Sequence, residues 1–276
     1  MQIFVINLKR SSDRFAKIET QLKALELPFT RIEAIDGKLV DANDSCVDQY
    51  RFRLSQQREC RDGEIGCAES HRKTWKEALK SNKPYSLILE DDAVLPKNLN
   101  QVLQSIEKLE LDIINLASIG SYKVRHENLE SLKKDGLLER PFLKKIRKWK
   151  QIEAGRWKVF NLFPVEALTI LECSIMPHCM VGYIVTPRAC RALLNTTQKI
   201  DYPIDYAFRH VNGTIRQGFG SPVLITHDLD GHSLIGDRNK KIKLSSIEHF
   251  LRTCLRNRCS ARKLSLLRMY GIKKII

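Results

Sequence analysis

The chain has 276 residues, 43% of them apolar and 29% charged, enough to bury a substantial core and inconsistent with a disordered polymer. Its net charge of +15 is concentrated in two blocks: residues 239–276 carry eleven Lys/Arg against Glu248 alone, and residues 133–150 carry eight against Asp135 and Glu139. The remainder is close to neutral, which argues against a nucleic-acid-wrapping protein, whose basic charge would line the folded surface itself.

In chain order, Gln2–Leu8 reads as a buried strand, and Ser11, Ser12 and Asp13 offer caps for a helix over about Arg14–Leu25. Phe15, Ile18, Leu22 and Leu25 fall on one face of that helix. Pro28 ends it, and Phe29–Ile35 reads as a second strand closed by the turn dipeptide Asp36-Gly37. Strand, helix, strand in so short a span is a βαβ unit and implies a parallel sheet. A nucleotide would then sit at the carboxyl ends of the strands, near Asn7–Arg14 and Asp36. A helix over about Glu64–Lys80 carries Glu69, Ser70, His71 and Trp75, and the strand Tyr85–Leu89 runs straight into Glu90-Asp91-Asp92. Asn98–Leu109 reads as a helix and Leu111–Leu116 as a strand. About 120–160 breaks the rhythm and reads as an insertion near the acceptor end of the site. Regular structure resumes with strand Met180–Thr186, helix Pro187–Leu194, a short helix near Pro203 and a strand-like Val223–Thr226.

The expected plan is one α/β domain over 1–238 with a mostly parallel central sheet, followed by a basic amphipathic tail over 239–276. In that tail Ile247, Phe250, Leu251, Cys254 and Leu255 form an apolar stripe, with Arg252, Arg256 and Arg258 off it. This is the pattern of a helix that lies on an anionic bilayer, or of one docked on the body with a solvated basic face. The uncharged stretch Cys173–Pro187 contains two prolines and His178 and falls short of the roughly 18–20 residues of a spanning helix. The apolar start Ile3–Leu8 is too short for a secretory signal. Eight cysteines with no CxxC pair read as buried thiols of a reducing compartment. The expected location is therefore cytoplasmic, peripheral to the inner membrane.

Glu90-Asp91-Asp92 is the sharpest chemical signal. Three consecutive carboxylates repel one another unless a cation offsets them, and hard oxygen ligands suit Mg²⁺ or Mn²⁺ bridging to phosphate. Strand alternation would send Glu90 and Asp92 together toward the ligand and Asp91 away. A polar turn with Asp92 as a cap is the plain alternative. Asp205 begins a short helix, where an Asp is often only a cap, and His227 follows a strand-like segment.

Val5-Ile-Asn-Leu-Lys-Arg-Ser-Ser-Asp-Arg14, Ala34-Ile-Asp-Gly37, Ile65-Gly-Cys-Ala-Glu-Ser-His71 with Trp75, and Leu89-Glu-Asp-Asp92 occur in that order. Together they resemble the family 25 glycosyltransferases, over roughly residues 1–235. The resemblance implies a GT-A type fold, a UDP-sugar donor, a divalent metal (usually Mn²⁺) and inversion at the anomeric carbon. It makes Asp92 the metal ligand, with Glu90 and His227 completing the set, and Asp205 the general base. Asn7, Arg10, Arg14, Asp36, Ser70, His71 and Asp91 fall among the expected nucleotide-binding positions. It implies a UDP-hexose, galactose first, as donor and a lipooligosaccharide core as acceptor. A nucleotidyl- or phosphotransferase would also use adjacent carboxylates, but no Walker-type lysine loop is present. A nucleic-acid-binding protein built on the basic blocks would leave the carboxylate cluster without a role, and a pseudoenzyme of the same fold is a third alternative.

Overall fold

A computed structural model describes residues 1–41, 43–117, 159–174, 176–212, 214–228 and 241–256. The opening unit is β1 (Gln2–Asn7), α1 (Ser12–Ala24) and β2 (Thr30–Glu33), with β1 and β2 parallel. A 3₁₀ turn (Gly37–Leu39) and α2 (Gln49–Gln56) lead to α3 (Asp62–Lys80), β3 (Ser86–Glu90) and the two-residue β4 (Ala93–Val94). After these come α4 (Leu99–Ile106), β5 (Ile113–Asn115), β6 (Val159–Val165), β7 (Leu168–Cys173), β8 (Gly182–Val185) and α5 (Pro187–Thr196). A second 3₁₀ turn (Ile204–Tyr206), the one-turn α6 (Ala207–His210), β9 (Gln217–Ser221), β10 (Thr226–His227) and α7 (Ser246–Arg256) complete the described elements.

Eight strands form one sheet in the order β2-β1-β3-β8-β5-β9-β7-β6. Six point one way, while β8 and β7 run against them. The sheet is therefore mixed but mostly parallel, as expected. Both faces are covered, so its central strands are apolar on both sides. Phe4, Ile6, Ile88 and Tyr183 pack with α3 and α5 on one face. Ile3, Val5, Leu87 and Leu89 pack with α1 and α4 on the other. In α4 the buried Leu99, Val102, Leu103 and Ile106 recur at helical spacing. In α5 the Thr186 hydroxyl caps the Ala189 N–H at 3.2 Å, and Pro187 occupies the first turn.

The structure corrects several boundaries. The expected insertion ends before Val159, because β6 pairs with β7 from that residue onward. Most of residues 120–160 lies outside the described residues, as do 257–276 of the tail. The strand expected over Val223–Thr226 is instead Thr226–His227, antiparallel to β4. The helix α2 was not expected: its Tyr50, Phe52 and Leu54 alternate like a strand, yet Phe52 and Leu54 are buried from a helix capped by Asp48.

Two glycines explain why separated motifs sit together. A Cβ on Gly37 would lie 1.7 Å from the Asp62 carbonyl oxygen, and one on Gly66 would lie 2.5 Å from the Ile35 carbonyl oxygen. The Asp36-Gly37 turn thus packs backbone to backbone against the first turns of α3. Ser70 fastens the same contact, accepting from the Ile35 N–H at 2.8 Å and donating to the Gly66 carbonyl at 2.6 Å.

Candidate active site

β1, β2 and β3 end on the same edge of the sheet, which places Asn7, Asp36 and the acidic run side by side. Alternation along β3 holds through Asp91 and then stops. Glu90 lies on the α3 face, where its Oε1 is 3.2 Å from His71 Nε2. Asp91 faces α1: Asn7 donates to its Oδ2 at 2.6 Å, and Arg14 contacts its Oδ1 at 2.6 Å. The strand ends at Glu90, so Asp92 is free of the pleat, and the same Arg14 nitrogen reaches its Oδ2 at 2.7 Å. The expectation that Asp91 points away from Glu90 holds. The expected grouping of Glu90 with Asp92, apart from Asp91, does not, because one guanidinium joins Asp92 to Asp91.

The electrostatics are unbalanced. Burial, then the charges of Glu90 and Asp91, raise the Asp92 carboxyl to about 6 in spite of Arg14. Asp91 is also raised, chiefly by burial. Burial pushes Glu90 upward too, but the His71 hydrogen bond and the electrostatic pull of the neighbouring His71, Arg14 and His227 outweigh it and hold Glu90 below its usual range. Among the described residues, Asp92 Oδ1 is buried with no hydrogen-bond partner.

His227 reaches this corner through the β10–β4 pairing, which sets it opposite Ala93, while the Asp228 N–H bonds the Asp92 carbonyl at 2.8 Å. Asp205 sits on the second 3₁₀ turn. The thiol of Cys179 is pushed up to about 12 by burial, with Glu90, Asp205 and Asp92 adding to the rise. All three carboxylates therefore lie within electrostatic reach of Cys179, and His227 lies within such reach of Glu90.

Other expected residues serve this edge from within the fold. Asn7 is buried; besides Asp91 it donates to the Ser11 carbonyl at 2.9 Å and accepts from Arg31 at 2.5 Å. Ser70 ties the motif loops together, as described above. Arg10 pairs with Asp36 at the end of β2, where the Lys38 N–H and then Arg10 hold the Asp36 carboxyl below its ordinary value.

Sequence reasoning missed the wall opposite the acids. Cys179 has a φ of 95°, and its carbonyl is held at 2.9 Å by Asn115, which also reaches the Pro177 carbonyl at 3.3 Å. An Asn closing the apolar run Ile113–Ile114 was the available signal. Beside it the His178 ring packs tilted against Tyr206, 4.0 Å between ring centroids and 49° between planes, and Arg209 lies 4.9 Å from the centroid of the same ring. Burial and Arg209 lower His178 to about 4.

The acidic run fits a hard divalent cation: it offers a buried carboxylate oxygen without a partner, in a cluster whose mutual repulsion such a charge would relieve. A second grouping, Cys67, His71 and Glu90, holds its ligand atoms within 4.8 Å of one another. Its mixed sulfur, nitrogen and oxygen donors suit a zinc-like ion better than Mg²⁺ or Mn²⁺.

The sequence model described as glycosyltransferase family 25 (LPS biosynthesis protein) matches residues 1–208. Procollagen galactosyltransferase 1-B of Xenopus laevis is 31% identical over 207 residues, covering 70% of this chain and 28% of that protein. A putative glycosyltransferase of Haemophilus influenzae is 29% identical over 134 residues, covering 48% of this chain and 46% of that protein. The chain spans less than a third of the length of the procollagen relatives it matches. A crystal structure of a glycosyltransferase involved in the glycosylation of the major capsid of PBCV-1 aligns with a TM-score of 0.41 at 12% identity, covering 84% of this chain and 93% of that one.

Proposed function

This chain belongs to glycosyltransferase family 25, and from that premise we propose that it transfers a hexose, galactose first, from a UDP-sugar to a lipooligosaccharide core acceptor with inversion. The procollagen relatives are named galactosyltransferases, and the family description names lipopolysaccharide biosynthesis; these support the sugar and the acceptor. The observation that carries the reading is the under-neutralised acidic run at the end of β3, with its buried, unpartnered Asp92 oxygen.

Asp92 and Glu90 would hold Mn²⁺ or Mg²⁺, with His227 adjacent. The ion, when bound, supplies Lewis-acid stabilisation of the departing diphosphate. Arg14, which contacts both Asp91 and Asp92, would add charge-assisted contacts to phosphate oxygens. Arg10 and Asp36, at the neighbouring strand end, are assigned to the nucleoside side. Asn7 and Ser70 keep the loops that carry these groups in register. The acceptor hydroxyl attacks the anomeric carbon as the bond to the diphosphate breaks, and Asp205 takes the hydroxyl proton. Inversion requires one such base and no covalent sugar–enzyme intermediate, by the same logic as an inverting glycosidase.

The proposed domain plan is a GT-A type catalytic domain over 1–238 and a membrane-contacting tail over 239–276. No helix among the described residues is long and apolar enough to cross a membrane. What supports peripheral contact is how α7 docks. Its polar side faces the body, with Glu248 paired to Arg53 at 2.9 Å and Arg252 bonded to the Ser55 carbonyl at 3.4 Å. Its apolar side faces outward, Ile247 being 74% and Phe250 68% exposed. Such a face beside a basic segment suits an anionic bilayer, on the cytoplasmic side of the inner membrane.

The test is a donor screen with Mn²⁺ and truncated lipooligosaccharide. It follows UDP release from UDP-galactose, UDP-glucose and UDP-N-acetylhexosamines. Acceptor-dependent release, largest with UDP-galactose, is expected. No turnover of any UDP-sugar, or nucleotide transfer to a phosphate acceptor instead, would overturn the proposal.

A further inference from the structure

Behind Glu90 lies a buried chain of polar groups that the proposed chemistry does not use. Trp75 Nε1 is 2.8 Å from the Tyr183 hydroxyl, that hydroxyl is 2.9 Å from His71 Nδ1, and His71 Nε2 is 3.2 Å from Glu90 Oε1. Trp75 and Tyr183 are fully buried and His71 nearly so. We infer that these groups form a one-way hydrogen-bond relay, Trp75 to Tyr183 to His71 to Glu90, that fixes the His71 tautomer and aims the Glu90 carboxylate, making His71 and Tyr183 positioning residues for donor binding.

The direction follows from counting protons. An indole N–H only donates, so the Tyr183 oxygen accepts from Trp75. The phenol has one proton of its own, and burial pushes its pKa well above the ordinary value, so that proton stays on the oxygen. Among the described residues, its hydrogen-bond neighbours are Trp75 and His71. With Trp75 already donating, the phenol proton points at His71 Nδ1, which must be bare to accept it. A proton on Nδ1 would instead set two donors against each other, or leave the phenol proton buried without an acceptor. The imidazole proton therefore sits on Nε2 and is donated to Glu90 Oε1.

This arrangement gives Glu90 a fixed donor on one oxygen and keeps the other for the divalent cation that the proposed function places there. It is the outer-shell support that orients a ligating group, supplied here to a carboxylate by a histidine whose tautomer two aromatic residues dictate. It also gives physical content to the spacing of His71 and Trp75 in the third motif. They are four residues apart on one face of α3, so both reach the single hydroxyl of Tyr183 on β8. The inference rests on the assignment of Glu90 to the donor site.

The full-length protein, labelled with ¹⁵N-histidine, decides the direction of the relay by long-range ¹H–¹⁵N correlation in the presence of Mg²⁺. His71 should show an unprotonated Nδ1 and a protonated Nε2, its signals being identified by their loss in His71→Gln. In Tyr183→Phe, which keeps the ring and its packing, this single pattern should give way to a mixture of tautomers. Calorimetric titration with UDP and Mg²⁺ reads the consequence: affinity should fall by about 10- to 100-fold in His71→Leu, and less in Tyr183→Phe. His71→Gln, whose amide can still donate to Glu90, should restore part of the loss. A residue with only a packing role would lower melting temperature without this order of affinities.

A proton found on Nδ1 in the wild-type protein overturns the relay. Wild-type affinity in a folded His71→Leu overturns its role in donor binding. If the wild-type protein fails to bind UDP with Mg²⁺ at all, the proposed function fails, and the tautomer pattern still decides the relay.

Discussion

Two acidic groups in this molecule are treated in opposite ways. At the far side of the sheet, Glu172 on β7 is fully buried and fully compensated: Arg216 reaches it with Nε at 2.9 Å and Nη2 at 3.1 Å, and Asn161 donates at 2.5 Å. At the end of β3, one nitrogen of Arg14 serves both Asp91 and Asp92, with Glu90 beside them, and one Asp92 oxygen has no partner among the described residues. The first arrangement closes its own charge and holds three strands together. The second is left short of positive charge at a strand end, where a ligand carrying a cation can supply it. What separates the two arrangements is the local charge balance: the fully buried Glu172 is closed by its partners, while the partly exposed run at the end of β3 is not.

The comparison can be broken by mutation. The largest expected effect is in Asp92→Ala, which should abolish transfer and metal-dependent UDP binding, measured by UDP release and by titration with Mn²⁺. Full activity would place the cation elsewhere. Asp205→Asn should keep UDP binding yet lose turnover by on the order of 10²-fold or more, the usual weight of a general base. Unchanged turnover would move that role to another group near Cys179.

Stability should respond in the reverse sense. Glu172→Gln leaves the Arg216 guanidinium without its counter-charge and should cost about 2–3 kcal/mol in chemical denaturation. Asp92→Asn should instead raise the melting temperature of the metal-free protein. The Asp92 carboxyl sits at about 6, above its ordinary 3.8, so its ionisation costs the folded state stability as pH rises through 6. The gain from Asn should be largest above pH 7, shrink as pH falls toward 4 and vanish below that. A melting temperature lowered at pH 7.5 in EDTA would mean that the ionised carboxylate is well paired after all.

The sequence was most legible where one periodicity and one chemical pattern coincided. β1, α1, β2 and α3 fell close to their expected places because alternation, helical spacing and turn residues all agreed there. The acidic run was conspicuous because three carboxylates directly following an apolar strand are costly. The second half was harder to read. β9 contains Gly218 and Gly220, poor strand formers, and Gly218 is needed because a Cβ there would lie 2.8 Å from the Leu171 carbonyl oxygen of β7. β7 was not expected, although all six of its residues are buried. The wall formed by Cys179, His178 and Tyr206 depends on the Asn115 clamp across more than sixty residues, a contact with no local signature. His71 stood out as the end of the third motif, but the contact that orients it comes from a tyrosine 112 positions away.

The basic C-terminal segment reverses the sign of the same imbalance. Residues 239–276 hold eleven cations against Glu248 alone, and that one carboxylate is already committed to Arg53. With its acid and Arg252 turned inward, α7 presents Ile247, Phe250 and Leu251 outward, in a segment whose sequence carries a surplus of positive charge. The double variant Ile247→Glu/Phe250→Glu keeps both docking contacts and changes only the outer face. It should bind vesicles containing anionic lipid on the order of tenfold or more weakly, because two large apolar side chains no longer enter the interface. Turnover on a short soluble acceptor should stay unchanged, since the substitutions lie outside the proposed site. Binding should also weaken with added salt, because the cations act through a screened surface potential. Undiminished vesicle binding by the double variant would show that the outer face of α7 does not meet the bilayer, leaving the surplus charge of the tail to account for any attraction.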